Sequence, residues 1–369
     1  MSYKSKNLFL VVLILSVMDF GLVWSFDEIR ISNDPDAKVA INPDIYGNTV
    51  VWEDQRDISI SGGNACINVY DLVSKTESTI FTASNSTYNS YRPQVYGNYV
   101  VWRDYRSGSG TSSIYGYDLS TKTEFKISES WYRGDNPSIY GDTVIYNDYQ
   151  YGSPVISGYN ISTKERFQVW GGVLSPNGNS LYGDIMVFEN GDGVNCGIFS
   201  YDLSTGKEFL ISSGTSRKTK PIISGNNVVW EDWRNGNPDI YAYNLATQQE
   251  FPISTQTNII ERDYAVYGNI VVYSEWLDDS SQPEDLKIYG YDISSGRKFL
   301  LSDNQSDFSE GLADIYGNIV VWQDARTGDH EIYYTDISAA VPEPSTIVLM
   351  ISGLVGVMRA IKSYQKAIK

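Results

Sequence analysis

The sequence predicts an all-β fold, a seven-bladed β-propeller of four-stranded antiparallel blades, and three observations predict it. The stretch Ile45 to Arg56 returns in recognisable form along the chain. Its glycine falls at Gly47, Gly97, Gly141, Gly183, Gly225, Gly268 and Gly317, at intervals of 50, 44, 42, 42, 43 and 49 residues. Each interval holds four short apolar runs separated by turn residues, and a four-stranded unit of roughly 40–50 residues has the period of a propeller blade.

The first strand of each unit is the Pro-x-Ile segment ahead of the glycine, and the Tyr-Gly-Asn turn that follows is short, as a hairpin requires. The second strand carries Trp52, Trp102, Tyr146, Phe188, Trp230, Tyr273 or Trp322. Val50, Val51 and Trp52 are consecutive apolar residues there, which suits a strand covered on both faces and not a half-exposed one that alternates. The third strands are Ile67 to Leu72, Ile114 to Leu119, Ile156 to Ile161, Ile198 to Leu203, Ile240 to Leu245, Ile288 to Ile293 and Ile332 to Ile337. Their Tyr, Ile and Val content is strand chemistry. A Phe-x-Ile-Ser run such as Phe125 to Ser128 or Phe209 to Ser212 supplies the fourth.

The last repeat stops after Ile337 without a fourth strand, while Phe26-Asp-Glu-Ile-Arg-Ile-Ser32 matches that pattern ahead of the first repeat. The ring is therefore expected to close by pairing Phe26 to Ser32 in the last blade. The alternative is a six-bladed ring.

Residues 1–25 combine Lys4 and Lys6 with an apolar core from Leu8 to Met18 and read as a signal peptide, too short to span a bilayer comfortably. Between the two chain ends stand 22 Lys and Arg against 43 Asp and Glu. Such a surface disfavours nucleic acid, because phosphate binding needs cations to displace counterions. No cofactor is expected beyond a weak attraction of Ca2+, and the acid-rich loops at Asp278-Asp279, Glu284-Asp285 and Asp303 to Glu310 lack the ligand alternation of a calcium loop. Cys66 and Cys196 fall in blades one and four, too far apart for a disulfide.

The form Pro-x-Ile-x-Gly-Asn-x-Val-Val-Trp-x-Asp-x-Arg, best matched by Pro221 to Leu245, resembles the propeller repeats of archaeal and bacterial surface proteins and, more distantly, the TolB-like propeller. The resemblance implies an exported propeller and covers about residues 26–338. The tail, 339–369, resembles a PEP-CTERM sorting signal: the motif at 341–346 with Pro342, Glu343 and Pro344, an apolar segment at 347–358, and a basic end from Arg359. In Gram-negative bacteria that resemblance implies processing by an exosortase, alongside signal peptidase at the other end, and transient membrane contact through the C-terminal segment.

Candidate chemistry is sparse. The pairs Asp54/Arg56, Asp104/Arg106, Asp232/Arg234 and Asp324/Arg326 recur at one blade position, as turn-satisfying structural pairs would. The single histidine, His330, reads as a solvated loop residue, so catalytic triads and histidine metal sites have no members. Catalytic residues are not assigned, and enzyme activity is not expected. The variable loops Arg56 to Cys66, Trp276 to Lys287, Phe81 to Arg92, Glu129 to Asn136 and Asp303 to Leu312 emerge on one face, together with Tyr91, Arg92, Trp131, Tyr132, Arg133, Arg262 and Trp276. Variable loops on a rigid scaffold are where function concentrates. The expected function is non-catalytic binding of a glycan or protein at the cell surface or in the extracellular polysaccharide matrix. The alternatives are a polysaccharide-active lyase or hydrolase and a structural surface component.

Overall fold

The computed structural model describes residues 26–32, 37–56, 64–83, 91–106, 111–128, 134–150, 153–171, 178–191, 196–277, 286–302 and 311–341. The signal-peptide reading, residues 1–25, and the tail reading, 339–369, apart from its first three residues, lie outside them.

The strands are β1 (Ile29–Arg30); β2 (Ala37–Tyr46), β3 (Thr49–Arg56), β4 (Asn64–Asp71) and β5 (Thr76–Thr82) of blade one; β6 (Gln94–Tyr96), β7 (Tyr99–Asp104), β8 (Ser113–Asp118) and β9 (Thr123–Lys126) of blade two; β10 (Gly134–Tyr140), β11 (Thr143–Gln150), β12 (Ser153–Asn160) and β13 (Glu165–Gly171) of blade three; β14 (Asn179–Tyr182), β15 (Ile185–Gly191), β16 (Cys196–Asp202) and β17 (Lys207–Ser212) of blade four; β18 (Lys218–Ser224), β19 (Asn227–Asp232), β20 (Asp239–Asn244) and β21 (Gln249–Ser254) of blade five; β22 (Ile259–Tyr267), β23 (Ile270–Leu277), β24 (Lys287–Asp292) and β25 (Arg297–Ser302) of blade six; and β26 (Gly311–Tyr316), β27 (Ile319–Asp324) and β28 (Glu331–Asp336) of blade seven. Six sheets run in chain order, and the seventh runs β1-β28-β27-β26. Seven complete sheets set the six-bladed alternative aside, because every glycine repeat builds a blade of its own and the N-terminal strand completes the last.

Closure rests on more than the two ladder pairs Ile29↔Tyr334 and Arg30↔Tyr333. Ile31 N donates to Ile332 O at 2.9 Å, Ile332 N donates to Ser32 Oγ at 2.9 Å, and Thr335 Oγ1 donates to Asp27 O at 3.1 Å. The Ser32 contact repeats one inside blade two, where Ile114 N donates to Ser128 Oγ at 2.8 Å.

Each first hairpin turns through its glycine in the left-handed region, with Gly47 at φ 61°. A side chain there would strain the turn. The second strands are buried on both faces: Trp52, Trp102, Phe188, Trp230, Tyr273 and Trp322 are fully covered. The hydrophobic clusters straddle blade boundaries, so Val51 and Ile67 of blade one pack with Val100 and Trp102 of blade two. Ile31, Val321 and Ile332 pack in turn with Val50 and Trp52. Burying side chains of this size stabilises by about 1.5–3 kcal/mol each, so the ring is held mainly between blades and not within them.

Polar latches reinforce those boundaries. The residue after the second-strand aromatic reaches the next blade at, or just ahead of, its inner strand: Glu53 Oε2 accepts Tyr91 N at 2.8 Å, Glu189 Oε2 accepts Lys220 N at 2.9 Å, and Arg103 is ion-paired with Asp135. Cys66 carries a thiol that donates to Thr82 Oγ1 at 3.6 Å.

Candidate functional site

On the loop face, the boundary between blades five and six gathers aromatic and cationic side chains. Trp233 follows β19, Arg217 precedes β18, Arg262 lies in β22 and Trp276 near the end of β23. The Arg262 guanidinium stands 5.5 Å from the Trp233 ring centre and 6.0 Å from that of Trp276, and the Arg217 guanidinium stands 5.7 Å from that of Trp233. Trp233 is oriented by its Nε1, which donates to Glu231 Oε1 at 2.9 Å. Arg217 is exposed, while Trp233, Arg262 and Trp276 are half-buried. Arg262 Nε is buried without a hydrogen-bond partner among the described residues.

The structure thus joins Arg262 and Trp276, which sequence reading placed on one face, and adds Trp233 and Arg217, which it missed. The signal for Trp233 was its place directly after the strand-ending Asp232, between the second and third strands of blade five. Trp131, Tyr132 and Arg133 lie outside the described residues. Tyr91 corrects the expectation of an exposed aromatic: it is fully buried, its ring 5.5 Å from that of Phe81, because the latch from Glu53 draws its backbone into the blade boundary.

Arg92 lies at the mouth of the axial channel. Asn42, Arg92, Asn136, Lys220 and Asp263 occupy the same blade position in the left-handed region, at φ 54, 45, 47, 54 and 49°. The ladder shifts register around that position in blades one, three, five and six. A bulge re-aims side chains locally, and here these residues line a cavity of about 340 Å³ at the loop-face end of the channel. Burial pushes the Asp263 carboxyl up from its ordinary range, against the opposing pull of Lys220, Arg262 and Arg92.

Three of the four recurring Asp/Arg pairs close into one repeated network. Arg106 Nε donates to Asp104 Oδ2 at 2.9 Å, Arg326 Nε donates to Asp324 Oδ2 at 2.7 Å, and Arg234 N donates to Asp232 Oδ1 at 3.0 Å. Trp102 and Trp230 each donate Nε1 to the same Asp, both at 3.1 Å. Each guanidinium covers a third-strand tyrosine, at 4.0 Å over Tyr115, 3.9 Å over Tyr241 and 4.4 Å over Tyr333. In blade one, Asp54 Oδ2 accepts Asn68 Nδ2 at 3.0 Å, and the Arg56 side chain lies outside the described residues. Where blade six has Leu277 in place of the arginine, the fourth strand supplies the cation: Lys298 pairs with Glu275 and sits 3.8 Å above Tyr289.

Two carboxyl pairs invite a catalytic reading, and geometry argues against both. Glu261 and Glu275 face each other across β22 and β23, and Ser254 Oγ contacts both, at 2.7 and 3.2 Å. Burial pushes Glu261 up to about 7. Their relative exposures are 0 and 5%, so no polysaccharide reaches them. Asp44 and Asp314 meet inside the channel, where Asp44 Oδ2 accepts Val95 N at 2.7 Å and Asp314 Oδ2 accepts Ile45 N at 2.9 Å. Burial raises Asp44 well above the carboxylate range and Asp314 to about 6, and the two carboxyls hydrogen-bond one another. That contact is closer than the roughly 5 Å that separates retaining glycosidase carboxyls.

His330 is not a solvated loop residue. Ala40 N donates to His330 O at 2.8 Å, which folds the loop against blade one and leaves the imidazole half-buried, with Nδ1 lacking a partner among the described residues. No group of three or more metal-ligating side chains occurs among the described residues.

No protein-family model and no curated protein matches this chain. Among solved structures it is similar to the β-propeller domain of the trilobed protease from Pyrococcus furiosus, at 13% identity and a TM-score of 0.63 over 81% of this chain and 96% of that one. That domain has an open velcro topology, whereas β1 and β28 pair here. The chain is also similar to puromycin hydrolase, at 9% identity and a TM-score of 0.64 over 84% of this chain and 55% of that one. TolB from Acinetobacter baumannii matches at 14% identity and a TM-score of 0.46, over 78% of this chain and 80% of that one. At these identities the likeness is one of fold.

Proposed function

We propose that this chain is an exported, non-catalytic binding propeller that engages a glycan or a protein through its loop face, at the cell surface or in the extracellular polysaccharide matrix. The observation that carries the reading is the half-buried Arg262 guanidinium between two partly open indoles, Trp233 and Trp276. Indole faces stack on sugar rings or anchor protein side chains, and a guanidinium between them donates to a carboxylate or hydroxyl oxygen in a fixed orientation. The acidic remainder of the surface repels competing polyanions, so an acidic ligand would be recognised locally, at this cluster, and not by bulk charge.

Export and sorting belong to the same proposal and rest on the sequence of the two ends: removal of residues 1–25 by signal peptidase and exosortase processing near Pro342-Glu343-Pro344. The two carboxyl pairs give no support to a hydrolase, since one is sealed and the other too close. A glycan array tests binding, and incubation with extracellular polysaccharides, followed by measurement of new reducing or unsaturated ends, tests catalysis. Saturable binding without new ends is the expected result. New ends released in proportion to enzyme would replace this reading with the hydrolytic or lyase one.

A further inference from the structure

The channel mouth on the opposite face, where the Tyr-Gly turns lie, is collared by tyrosines. Going round it, ring centres are 4.8 Å apart for Tyr182 and Tyr140, 4.7 Å for Tyr140 and Tyr96, 4.2 Å for Tyr96 and Tyr46, 4.6 Å for Tyr46 and Tyr316, and 4.7 Å for Tyr316 and Tyr267. All five contacts are tilted alike, between 40 and 52°. Neighbouring phenols are also hydrogen-bonded, from Tyr182 through Tyr140, Tyr96, Tyr46 and Tyr316 to Tyr267.

Blade five breaks the collar, because Ser224 stands where the other blades place tyrosine. Its Oγ accepts Gly268 N at 3.0 Å, which holds the short side chain against the next blade. The two ends of the arc, Tyr182 and Tyr267, make no ring contact with one another. Tyr182 is 36% exposed. Both line, with Ser224, a cavity of about 390 Å³.

We propose that the gap over Ser224 is a binding slot for one aromatic side chain, a tyrosine presented by an extended segment of a partner protein. The five observed contacts define what fits: a ring tilted against a neighbour on each side, at the spacing the other blades use. Such tilted pairs are the preferred aromatic geometry. The Ser224 and Ser180 hydroxyls at the gap are neutral: each accepts a backbone N–H, from Gly268 and Ile223, and so offers a charged side chain no partner charge. A phenol is favoured over a bare ring because its hydroxyl bridges the two open ends of the phenol chain. This slot is independent of the loop-face cluster around Arg262.

Titration of the full chain with N-acetyl-tyrosinamide, followed by NMR, tests the proposal. Saturable binding with one site is expected, about tenfold weaker in Ser224→Tyr, which fills the slot, and unchanged in Ser224→Ala, which does not. Tyr182→Ala removes one wall and is expected to weaken binding several-fold, which keeps the test alive if Ser224→Tyr fails to fold. Absence of saturable binding to the wild type, or wild-type affinity in both Ser224→Tyr and Tyr182→Ala, would overturn the proposal. Equal affinity for N-acetyl-phenylalaninamide would overturn the role given to the hydroxyl.

Discussion

Arg326 of the last blade is ion-paired with Glu28 of the N-terminal segment, in the place that Glu124 takes for Arg106 and Glu250 takes for Arg234. The N-terminal strand therefore supplies the fourth-strand side chain as well as the backbone ladder. Its Ile31 enters the core beside Val50, and its Ser32 hydroxyl accepts the third-strand amide as Ser128 does. Ring closure is the same interaction as blade completion, made between the two ends of the ring.

Deleting Phe26 to Ser32 should cost several kcal/mol and expose the β28 edge to pairing with other chains. Thermal melts and light scattering check this, with a lower melting temperature and a larger apparent mass expected. Glu28→Ala should cost under about 1 kcal/mol, because the pair is partly solvated. An unchanged melt for the deletion would contradict closure by this segment.

Trp230→Ala should destabilise by about 3–5 kcal/mol, since it opens a cavity between blades and removes the indole donor to Asp232. Trp276→Ala buries far less and should stay within about 1 kcal/mol of wild type. Denaturant melts of the two variants side by side decide whether core and loop-face tryptophans are distinguished correctly.

Glu261 gives stability a pH dependence of defined sign. Its folded pKa of about 7 lies above the ordinary glutamate value of 4.5, because burial disfavours the carboxylate. The folded protein then holds a proton that the unfolded chain has lost, so this contribution is fully present below about pH 4.5 and disappears as pH rises through about 7. Glu261→Gln should melt near wild type at pH 5 and higher than wild type at pH 8, by the equivalent of about 1–2 kcal/mol. A variant less stable than wild type at pH 8 would show that the carboxylate is compensated in the fold.

If the two chain ends are sorting signals, intact-mass measurement of protein exported from a host with an exosortase should find neither residues 1–25 nor the segment beyond the Pro-Glu-Pro motif. An exported species retaining residues 347–369 would contradict the sorting reading.

The blades were legible in the sequence because the repeat fixes its own register: the glycine that must turn left-handed and the aromatic that must fill the blade boundary recur together, from Gly47 with Trp52 to Gly317 with Trp322. The site was only half legible. Arg262 and Trp276 could be assigned to a face from strand counting, but their meeting with Trp233 depends on how two blades pack. Tyr91 misled because it follows a variable loop, while its burial comes from a latch to Glu53, one blade away. The tyrosines of the Tyr-Gly turns looked like local turn residues, and only the ring brings them into a collar.

Binding is assigned to the loop-face cluster of Trp233, Arg262 and Trp276 between blades five and six. The most direct test measures association of wild type, Trp233→Ala, Arg262→Ala and Trp276→Ala with the host's extracellular polysaccharide and with its surface proteins, alongside the melting temperature of each. The account predicts a loss of about 1–3 kcal/mol in binding for each aromatic substitution, with melts that stay close to wild type. Variants that bind as wild type does, or that lose binding only in step with their stability, would contradict it.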